Sequence, residues 1–284
     1  MDLQIILGKT AGFCFGVKNA VNKALEATKN ETSMQCLGEL VHNKQVTEEL
    51  EKKGIQFIEN LEQANKKLII RSHGVEKEVY LKAKEKGIEI IDLTCPKVLN
   101  IHKIAEEYIK KGYYIFLVGQ KEHPETIGTM SFCGPDYSLI QSEEDVEEAV
   151  KKYKNSGCAN SLLISQTTYS LEKFNKISHI LNQNVPNIEV KNTICNATKL
   201  RQEETQKIAK QVDLMIIVGG KHSSNSNKLY EIAKKYCRNT IFIEIKEEID
   251  INYIKKFERI GVMAGASTPQ KSIIELVDII QKTC

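Results

Sequence analysis

Long apolar runs and a strong charge of one sign are both missing from this chain of 284 residues. No apolar run approaches the roughly 18 residues that a bilayer-spanning helix needs, and the run at 113–119 is among the longest. A formal net charge of +3, without a basic run interleaved with aromatic residues, does not support nucleic-acid binding. The apolar segment at 3–7 is too short for the h-region of a signal peptide and has no basic n-region. We therefore expect neither a membrane nor a nucleic acid as a partner.

Closely spaced CxxC pairs are also missing, although the chain contains eight cysteines. Cysteines scattered in this way are not typical of a secreted disulfide framework, and they favour a reducing, cytoplasmic location. The sequence contains no GxGxxG, HExxH or CxxxCxxC motif. Gly8-Lys9-Thr10 resembles the end of a Walker A loop, but leucine stands at position 3, where that loop requires glycine. The common dinucleotide, nucleotide and zinc-protease motifs are therefore not supported.

Three cysteines recur in a repeated context. Cys14, Cys95 and Cys195 each follow a short apolar run and precede an amphipathic stretch. Counting on from them in order gives Gly38, Gly119 and Gly219 after 24 residues, His42, His123 and Ser223 after 28, and Lys44, Glu125 and Asn225 after 30. Counting 72 residues from the second and the third gives Thr167 and Ser267. The chain therefore looks like one unit used three times.

Short apolar segments alternate with amphipathic segments in all three passes, a pattern typical of parallel sheets covered by helices. It predicts helices over 44–53, 75–86, 143–153, 170–183, 197–211 and 227–236, and strands at 34–37, 55–58, 67–70, 114–118, 162–165, 214–218 and 261–265. We predict an α/β fold of three pseudo-repeated lobes with small parallel sheets. The predicted lobes span 14–95, 96–195 and 196–284, and the N-terminal strand within 1–13 completes the third lobe.

Polar residues follow the predicted strands, where the loops of a parallel sheet meet at one edge. Eight of them carry imidazole, hydroxyl or amide groups, which suit an anion such as a diphosphate at strand-to-helix turns. They are His42, His73, His123, Thr167, Ser223, Ser224, Asn225 and Ser267. Glu125 is the lone carboxylate at a tip of this kind. In a desolvated site its pKa would rise enough for it to act as a proton donor.

The three repeated cysteines admit more than one chemistry. Structural zinc normally takes four protein ligands from closely spaced pairs, whereas three thiolates suit a 4Fe–4S cluster with one iron left without a protein ligand. Helices that begin after each cysteine would point their positive ends at such an anionic cluster. A zinc-stapled module that binds an anion without catalysis, and a thiol-based redox enzyme without a metal, remain alternatives. The other five cysteines, Cys36, Cys133, Cys158, Cys237 and Cys284, are expected to be small buried side chains.

Nearly the whole chain, taken in order, resembles one known family. The segments that carry the resemblance are Ala-Gly-Phe-Cys14-Phe-Gly-Val, Gly38-Glu-Leu-Val-His42-Asn, Arg-Ser-His73-Gly, Thr-Cys95-Pro, Glu-His123-Pro-Glu125, Gln-Thr167-Thr, Thr-Ile-Cys195-Asn-Ala-Thr, Ser223-Ser224-Asn225-Ser-Asn and Ala-Gly-Ala-Ser267. Together they resemble the LytB/IspH family of 4-hydroxy-3-methylbut-2-enyl diphosphate reductases. Phe15 stands where that family usually has a smaller residue.

The resemblance implies three lobes around a central, oxygen-sensitive 4Fe–4S cluster, with Cys14, Cys95 and Cys195 as its ligands. It implies that the eight polar tip residues contact a diphosphate substrate, and that Glu125, helped by Thr167, donates protons. The implied reaction is the reductive dehydration of (E)-4-hydroxy-3-methylbut-2-enyl diphosphate to isopentenyl diphosphate and dimethylallyl diphosphate, the last step of the non-mevalonate isoprenoid pathway. Because the chain has no flavin or nicotinamide motif, a ferredoxin or flavodoxin would supply the electrons.

Overall fold

The structure is a computed structural model that describes residues 3–29 and 33–283. The strands are β1 Gln4–Leu7, β2 Met34–Leu37, β3 Ile55–Ile58, β4 Lys67–Ile70, β5 Glu89–Asp92, β6 Tyr113–Val118, β7 Tyr137–Ile140, β8 Asn160–Ser165, β9 Ile188–Val190, β10 Leu214–Val218, β11 Thr240–Ile243 and β12 Arg259–Ala264. The helices are α1 Phe15–Ala27, α2 Lys44–Lys52, α3 Lys77–Glu85, α4 Pro96–Lys110, α5 Pro124–Met130, α6 Val146–Ser156, α7 Leu171–Asn184, α8 Asn196–Ala209, α9 Ser224–Tyr236, α10 Ile251–Ile254 and α11 Gln270–Thr283. Residues 1, 2, 30–32 and Cys284, which the predicted lobes include, lie outside the described residues.

The described strands form three four-stranded sheets that share one topology. Their orders are β3-β2-β4-β5, β7-β6-β8-β9 and β11-β10-β12-β1. Every strand pair is parallel, and β1 pairs with β12 from Gln4 opposite Arg259 to Leu7 opposite Val262. In this comparison β1 takes the place that β5 and β9 hold in the other two sheets. The predicted fold class, small parallel sheets flanked by helices in a threefold repeat, is confirmed.

The described chain divides into two compact units. Unit 1 comprises residues 3–18, 41–52 and 196–283 and contains the sheet to which β1 belongs. Unit 2 comprises residues 19–29, 33–40 and 53–195 and contains the other two sheets. Each of the three predicted lobes contains one sheet, and the bounds proposed for the lobes stay a prediction.

Each sheet is apolar on both faces because helices cover both. In unit 2, Phe116 of β6 packs on one face with Phe174 of α7, while Leu117 packs on the other with Ile101 of α4. Unit 1 repeats the arrangement, with one side of β10 against α11 and the other against α8 and α9. Strands buried on both faces carry apolar side chains at successive positions. This explains why the short continuous runs in the sequence indicate the strands so well.

The structure departs from the sequence prediction at several helices. Helix α3 begins at Lys77 rather than at position 75, because Glu76 is extended (φ −64°, ψ 152°). Helix α9 begins at Ser224, three residues before the predicted start, because the hydroxyl of Ser223 accepts a hydrogen bond from the backbone N–H of Ser226 and caps it. The predicted helix at 143–153 starts as a 3₁₀ turn over Glu143–Asp145.

Strand β7 and helices α5 and α10 were not anticipated. Helix α5 has seven residues and contains Gly128 and two threonines, so its intrinsic helix propensity is low. A Cβ added to Gly128 would lie 3.2 Å from the carbonyl oxygen of Val75 in the same unit. The glycine therefore allows the close approach of α5 to the backbone after β4, a tertiary constraint that local sequence does not reveal.

The cysteines assigned to ordinary packing behave differently from one another. Cys36, Cys133 and Cys237 are buried as expected, whereas Cys158 is only half-buried. Cys284, the fifth of this group, lies outside the described residues.

Among residues 3–29 and 33–283, no helix has the length and apolar character needed to cross a membrane.

We expect Phe116→Ala to lower the free energy of unfolding by about 3–5 kcal/mol, because it leaves a cavity beneath Tyr114 and Tyr153 in the core of unit 2. Guanidinium-induced unfolding, followed by circular dichroism, measures the change. The control is Leu81→Ala, since Leu81 is 54 % exposed and its loss should alter stability by no more than about 0.5 kcal/mol. Equal effects of the two substitutions would contradict the packing described.

Candidate functional site

The three repeated cysteines occupy equivalent places at strand-to-helix junctions. Each follows the edge strand β1, β5 or β9 and directly precedes helix α1, α4 or α8. Each also donates its backbone N–H to the loop that leaves the neighbouring strand of its sheet. These hydrogen bonds run from Cys14 to the carbonyl of Ala266 (3.1 Å), from Cys95 to that of Ser72 (2.9 Å) and from Cys195 to that of Thr167 (3.0 Å). The cysteine is therefore fixed beside a polar loop in the same way in each repeat.

The thiols at these junctions differ from those in the cores. Cys14, Cys95 and Cys195 are half-buried, and Sγ of Cys14 accepts a hydrogen bond from the backbone N–H of Val17 at 3.5 Å. By contrast, burial raises the pKa of Cys36 and of Cys133 to about 12, which disfavours their thiolates. Only thiolates bind metals well, so Cys36 and Cys133 are poor candidates for metal ligands.

The first turns of α1, α4 and α8 contain no acidic residue. Carboxylates normally stabilise this position because the positive end of the helix dipole lies there. Helix starts without carboxylates leave that positive end available to another anion. The donor set thus fits an anionic iron–sulfur cluster. Within each unit, and among the described residues, no three His, Cys, Asp or Glu side chains come together as a metal site.

In unit 2, a buried carboxyl group joins two of the loops. Glu125 is 2 % exposed and lies in the first turn of α5. Its Oε1 accepts the backbone N–H of Thr167 at 2.5 Å, and its Oε2 accepts the Thr167 hydroxyl at 2.6 Å. Since the carbonyl of Thr167 accepts the N–H of Cys195, the carboxyl group lies one residue away from a repeated cysteine.

The pKa of Glu125 departs strongly from that of an ordinary glutamate. Burial raises the pKa to about 7, while the two hydrogen bonds from Thr167 act in the opposite direction. A carboxyl group with this pKa holds its proton near neutral pH and can release it there. The hydroxyl of Thr167 lies in contact with the group that would supply that proton.

Two histidines of unit 2 come together at the start of α5. His123 is the N-cap of α5, and its Nδ1 accepts the backbone N–H of Glu125 at 3.1 Å. In a neutral ring this leaves the proton on Nε2 as a donor. The ring of His73 meets that of His123 edge-on, with centroids 5.6 Å apart. His73 follows Ser72, whose carbonyl holds Cys95, so a continuous chain of contacts connects Cys95 to Cys195.

In unit 1, a polar cradle forms at the start of α9. Ser223 caps the helix, and Ser224 and Asn225 open its first turn. Asn225 is 3 % exposed, yet neither polar atom of its side chain has a hydrogen-bond partner in the described chain. A buried amide costs free energy unless it finds a partner, so this one is suited to a polar ligand.

The loop after β12 and the segment before α2 complete the unit 1 cradle. The hydroxyl of Ser267 donates to the carbonyl of His42 at 3.0 Å. A Cβ on Gly220 would lie 2.6 Å from the same carbonyl, so His42 lies against the turn that leads to Ser223. Ala266, which precedes Ser267, accepts the N–H of Cys14. His42, the serines and Cys14 are therefore neighbours in unit 1.

The sequence-predicted residues thus fall into two groups. Unit 2 gathers Cys95, His73, His123, Glu125, Thr167 and Cys195. Unit 1 gathers Cys14, His42, Ser223, Ser224, Asn225 and Ser267. Phe15, unusually large for the resembled family, is 79 % exposed, so its ring needs no space in the core beside Cys14.

Three residues around these groups were missed from sequence. Ser226 is fully buried, and a Cβ on either Gly219 or Gly265 would collide with its hydroxyl. Arg201 and Glu204 on α8 contact the loop before Cys14. Arg201 falls on the buried face of α8 with Thr198 and Thr205, so a charged residue in that stripe was the available clue.

Comparisons with known proteins agree over the whole chain. The family model described as LytB protein matches residues 5–281. A 4-hydroxy-3-methylbut-2-enyl diphosphate reductase of Caldanaerobacter subterraneus subsp. tengcongensis is 42 % identical over 285 residues, which cover 98 % of this chain and 97 % of the relative. The enzyme of that name from Aquifex aeolicus is 38 % identical over 287 residues, covering 99 % and 97 %.

Solved structures show the same relationship. A structure of (E)-4-hydroxy-3-methyl-but-2-enyl diphosphate reductase, the terminal enzyme of the non-mevalonate pathway, matches with a TM-score of 0.72 and 38 % identity over 99 % of both chains. The E-1-hydroxy-2-methyl-but-2-enyl-4-diphosphate reductase of Plasmodium falciparum matches with a TM-score of 0.91 and 29 % identity, covering 98 % of this chain and 88 % of the other. The chain belongs to the LytB protein family.

Proposed function

We propose that this chain is the oxidoreductase that converts (E)-4-hydroxy-3-methylbut-2-enyl diphosphate to isopentenyl diphosphate and dimethylallyl diphosphate. Its relatives carry the name of this enzyme and match the chain over almost its full length. The observation that carries the proposal is the buried pair of Glu125 and Thr167, because the reaction needs a proton source near neutral pH. The step is the terminal one of the non-mevalonate pathway.

The proposed cofactor is one 4Fe–4S cluster, with Cys14, Cys95 and Cys195 as its cysteine ligands. These thiols are half-buried and placed directly before helices whose first turns lack carboxylates. When bound, the cluster supplies electrons and a Lewis-acidic iron without a protein ligand. The remaining chemistry is assigned to the side chains of the two units.

The diphosphate group is assigned to the polar residues of the loop tips. In unit 1 these are His42, Ser223, Ser224, Asn225 and Ser267, and in unit 2 they are His73, His123 and Thr167. The unit 1 residues contribute the start of α9, whose positive dipole end favours phosphate oxygens. The unpartnered amide of Asn225 is the strongest support in this group, because a phosphate oxygen would satisfy its donor.

Glu125 is assigned as the proton donor. Reduction of the allylic alcohol consumes two electrons and two protons and releases the hydroxyl group as water. Glu125 holds its proton near neutral pH, and the Thr167 hydroxyl in contact with it passes the proton toward the leaving oxygen. Protonation of the remaining allyl anion at one end or the other gives the two products.

The electron donor is proposed to be a ferredoxin or a flavodoxin, since the chain has no flavin or nicotinamide motif.

A cytoplasmic location is proposed as well. No disulfide bond joins any of the seven cysteines in the described part of the chain, as expected in a reducing compartment.

Glu125→Gln should lower turnover by about 10²- to 10⁴-fold, because the amide cannot release a proton. Anaerobic assays with an artificial reductant measure turnover, while absorbance and calorimetry check the cluster and substrate binding, which should persist. The matched control is Glu122→Gln, which removes an exposed carboxylate three residues earlier and should leave turnover unchanged. Near-wild-type turnover of Glu125→Gln would disprove the assigned role.

The Glu125 carboxyl should titrate near pH 7 rather than near the value of an ordinary glutamate. Infrared difference spectra of wild type minus Glu125→Gln would show the C=O band of a protonated carboxyl group at low pH. The band should disappear as the pH rises, with its midpoint near 7. A band already absent at about pH 5 would show that burial does not raise the pKa of this group.

Cys195→Ser should abolish stable cluster binding, since it removes one of three proposed thiolate ligands. Iron and acid-labile sulfide are measured after anaerobic purification, where the wild type should contain about four of each per chain. The control is Cys158→Ser, because Cys158 is also half-buried but follows the left-handed Gly157 at the end of α6, away from any repeated junction. A colourless wild type containing one zinc would instead favour a zinc-stapled anion-binding module.

A further inference from the structure

The loop that leads to Cys14 is held by a carboxylate of helix α8 in unit 1. Glu204 accepts the backbone N–H groups of Lys9 and Thr10, each at 2.8 Å, and the Thr10 hydroxyl at 2.5 Å. These are the residues of the Gly8-Lys9-Thr10 segment that resembles part of a Walker A loop. The backbone N–H groups of Lys9 and Thr10 donate to the carboxylate of Glu204, where those of a Walker A loop would donate to a phosphate. The segment is therefore part of a structural contact.

A buried arginine holds the same loop closer to the cysteine. Arg201 is 4 % exposed and lies one turn before Glu204 on α8. Its Nη2 donates to the carbonyl of Gly12 at 2.5 Å, and its Nη1 donates to the carbonyl of Ala197 at 3.1 Å. Gly12 lies two residues before Cys14. The guanidinium thus fixes the last turn of the chain before a proposed cluster ligand.

Glu204 and Arg201 carry opposite charges and contact the loop at different positions. Arginine stays protonated in proteins, so Arg201 places a permanent positive charge in the interior of unit 1. Burial raises the pKa of Glu204, but the hydrogen bonds from Thr10 and Lys9 outweigh this effect and lower the pKa overall. Glu204 is therefore negative and contacts residues 9 and 10, whereas the positive group contacts residue 12. In chain order, the cation is the closer of the two to Cys14.

We propose that Arg201, with Glu204, is a positioning residue that clamps the Cys14 loop and whose positive charge favours reduction of the cluster. This inference rests on the proposed cofactor. Adding an electron to an anionic cluster increases its negative charge, and a nearby buried cation offsets that increase. Helix α8 begins directly after Cys195, so one helix both follows one proposed ligand and holds the loop of another.

Two substitutions separate the charge of Arg201 from its hydrogen bonds. Arg201→Gln keeps a donor but removes the charge, while Arg201→Lys keeps the charge but loses the forked geometry. Glu204→Gln weakens the hold on Lys9 and Thr10 without removing bulk. The matched control is Lys207→Gln, which removes an exposed cation from the last turn of the same helix.

The first measurement is hydrogen exchange of the segment 9–14 in the cluster-free full-length protein. Exchange should be at least about tenfold faster in Arg201→Gln and Glu204→Gln than in the wild type, because bonds to charged groups are lost. Lys207→Gln should leave exchange unchanged. Unchanged exchange in both clamp variants would overturn the positioning role. This result does not depend on turnover, so it is distinguishable from a failure of the proposed function.

The second measurement is the midpoint potential of the reconstituted cluster in a spectroscopic redox titration. Arg201→Gln should shift the potential to more negative values, and Arg201→Lys should restore it toward the wild-type value. Glu204→Gln should shift it in the opposite direction or leave it unchanged. A wild-type potential in Arg201→Gln would overturn the electrostatic role. If that variant does not fold, a wild-type potential in Arg201→Lys still supports the role, and a shift to lower potential contradicts it.

Discussion

The paired hydrogen bonds between Glu125 and Thr167 are the interaction on which the polar edge of unit 2 depends. They connect α5 to the loop after β8, and they do so inside the protein, where an unpaired carboxylate would be strongly unfavourable. Helix α5 is too short and too poor in helix-forming residues to be stable alone. Its position is therefore set by tertiary contacts at Glu125 and at Gly128 against Val75.

In unit 1, the equivalent position of the repeat carries a neutral side chain. Where unit 2 places Glu125, the repeat in unit 1 places Asn225, which has no proton to release. Its surroundings are hydroxyl groups and closely approaching glycines, with Ser226 enclosed by Gly219 and Gly265. The shared topology thus carries an acid in one repeat and an amide in another. In the proposed reaction the acid supplies protons, whereas the amide binds the diphosphate together with polar residues of both units.

The sequence predicted the architecture well because the strongest local pattern coincides with the strongest physical constraint. Strands such as β6 and β10 are buried on both faces, so their sequences are continuous apolar runs. The repeat of the cysteines also indicated that β1 belongs with β10–β12, a pairing between opposite ends of the chain. Strand β7 and helix α5 escaped prediction because neither has a clear local pattern. Their conformations follow from neighbours such as Tyr114, whose hydroxyl bonds to that of Ser138.

The candidate site was predictable where position in the repeat defines it, as for Cys195, Glu125 and Asn225. It was not predictable where it depends on side chains that meet from distant parts of the sequence. Arg201 reaches a carbonyl 189 positions earlier, and no local pattern can report such a contact. Likewise, the pairing of Glu125 with Thr167 joins two loops that lie 42 positions apart in the sequence.

The buried side-chain polar atoms of Asn225 and Ser226, which have no hydrogen-bond partner among the described residues, have a consequence for the stability of this protein. A core that leaves polar atoms unsatisfied is less stable than one filled by apolar side chains, so selection for heat resistance alone would remove them. A bound ligand would instead supply the hydrogen bonds that the folded chain lacks at these atoms. A ligand that satisfies these atoms binds the native state preferentially, so substrate supply and protein lifetime in the cell become linked.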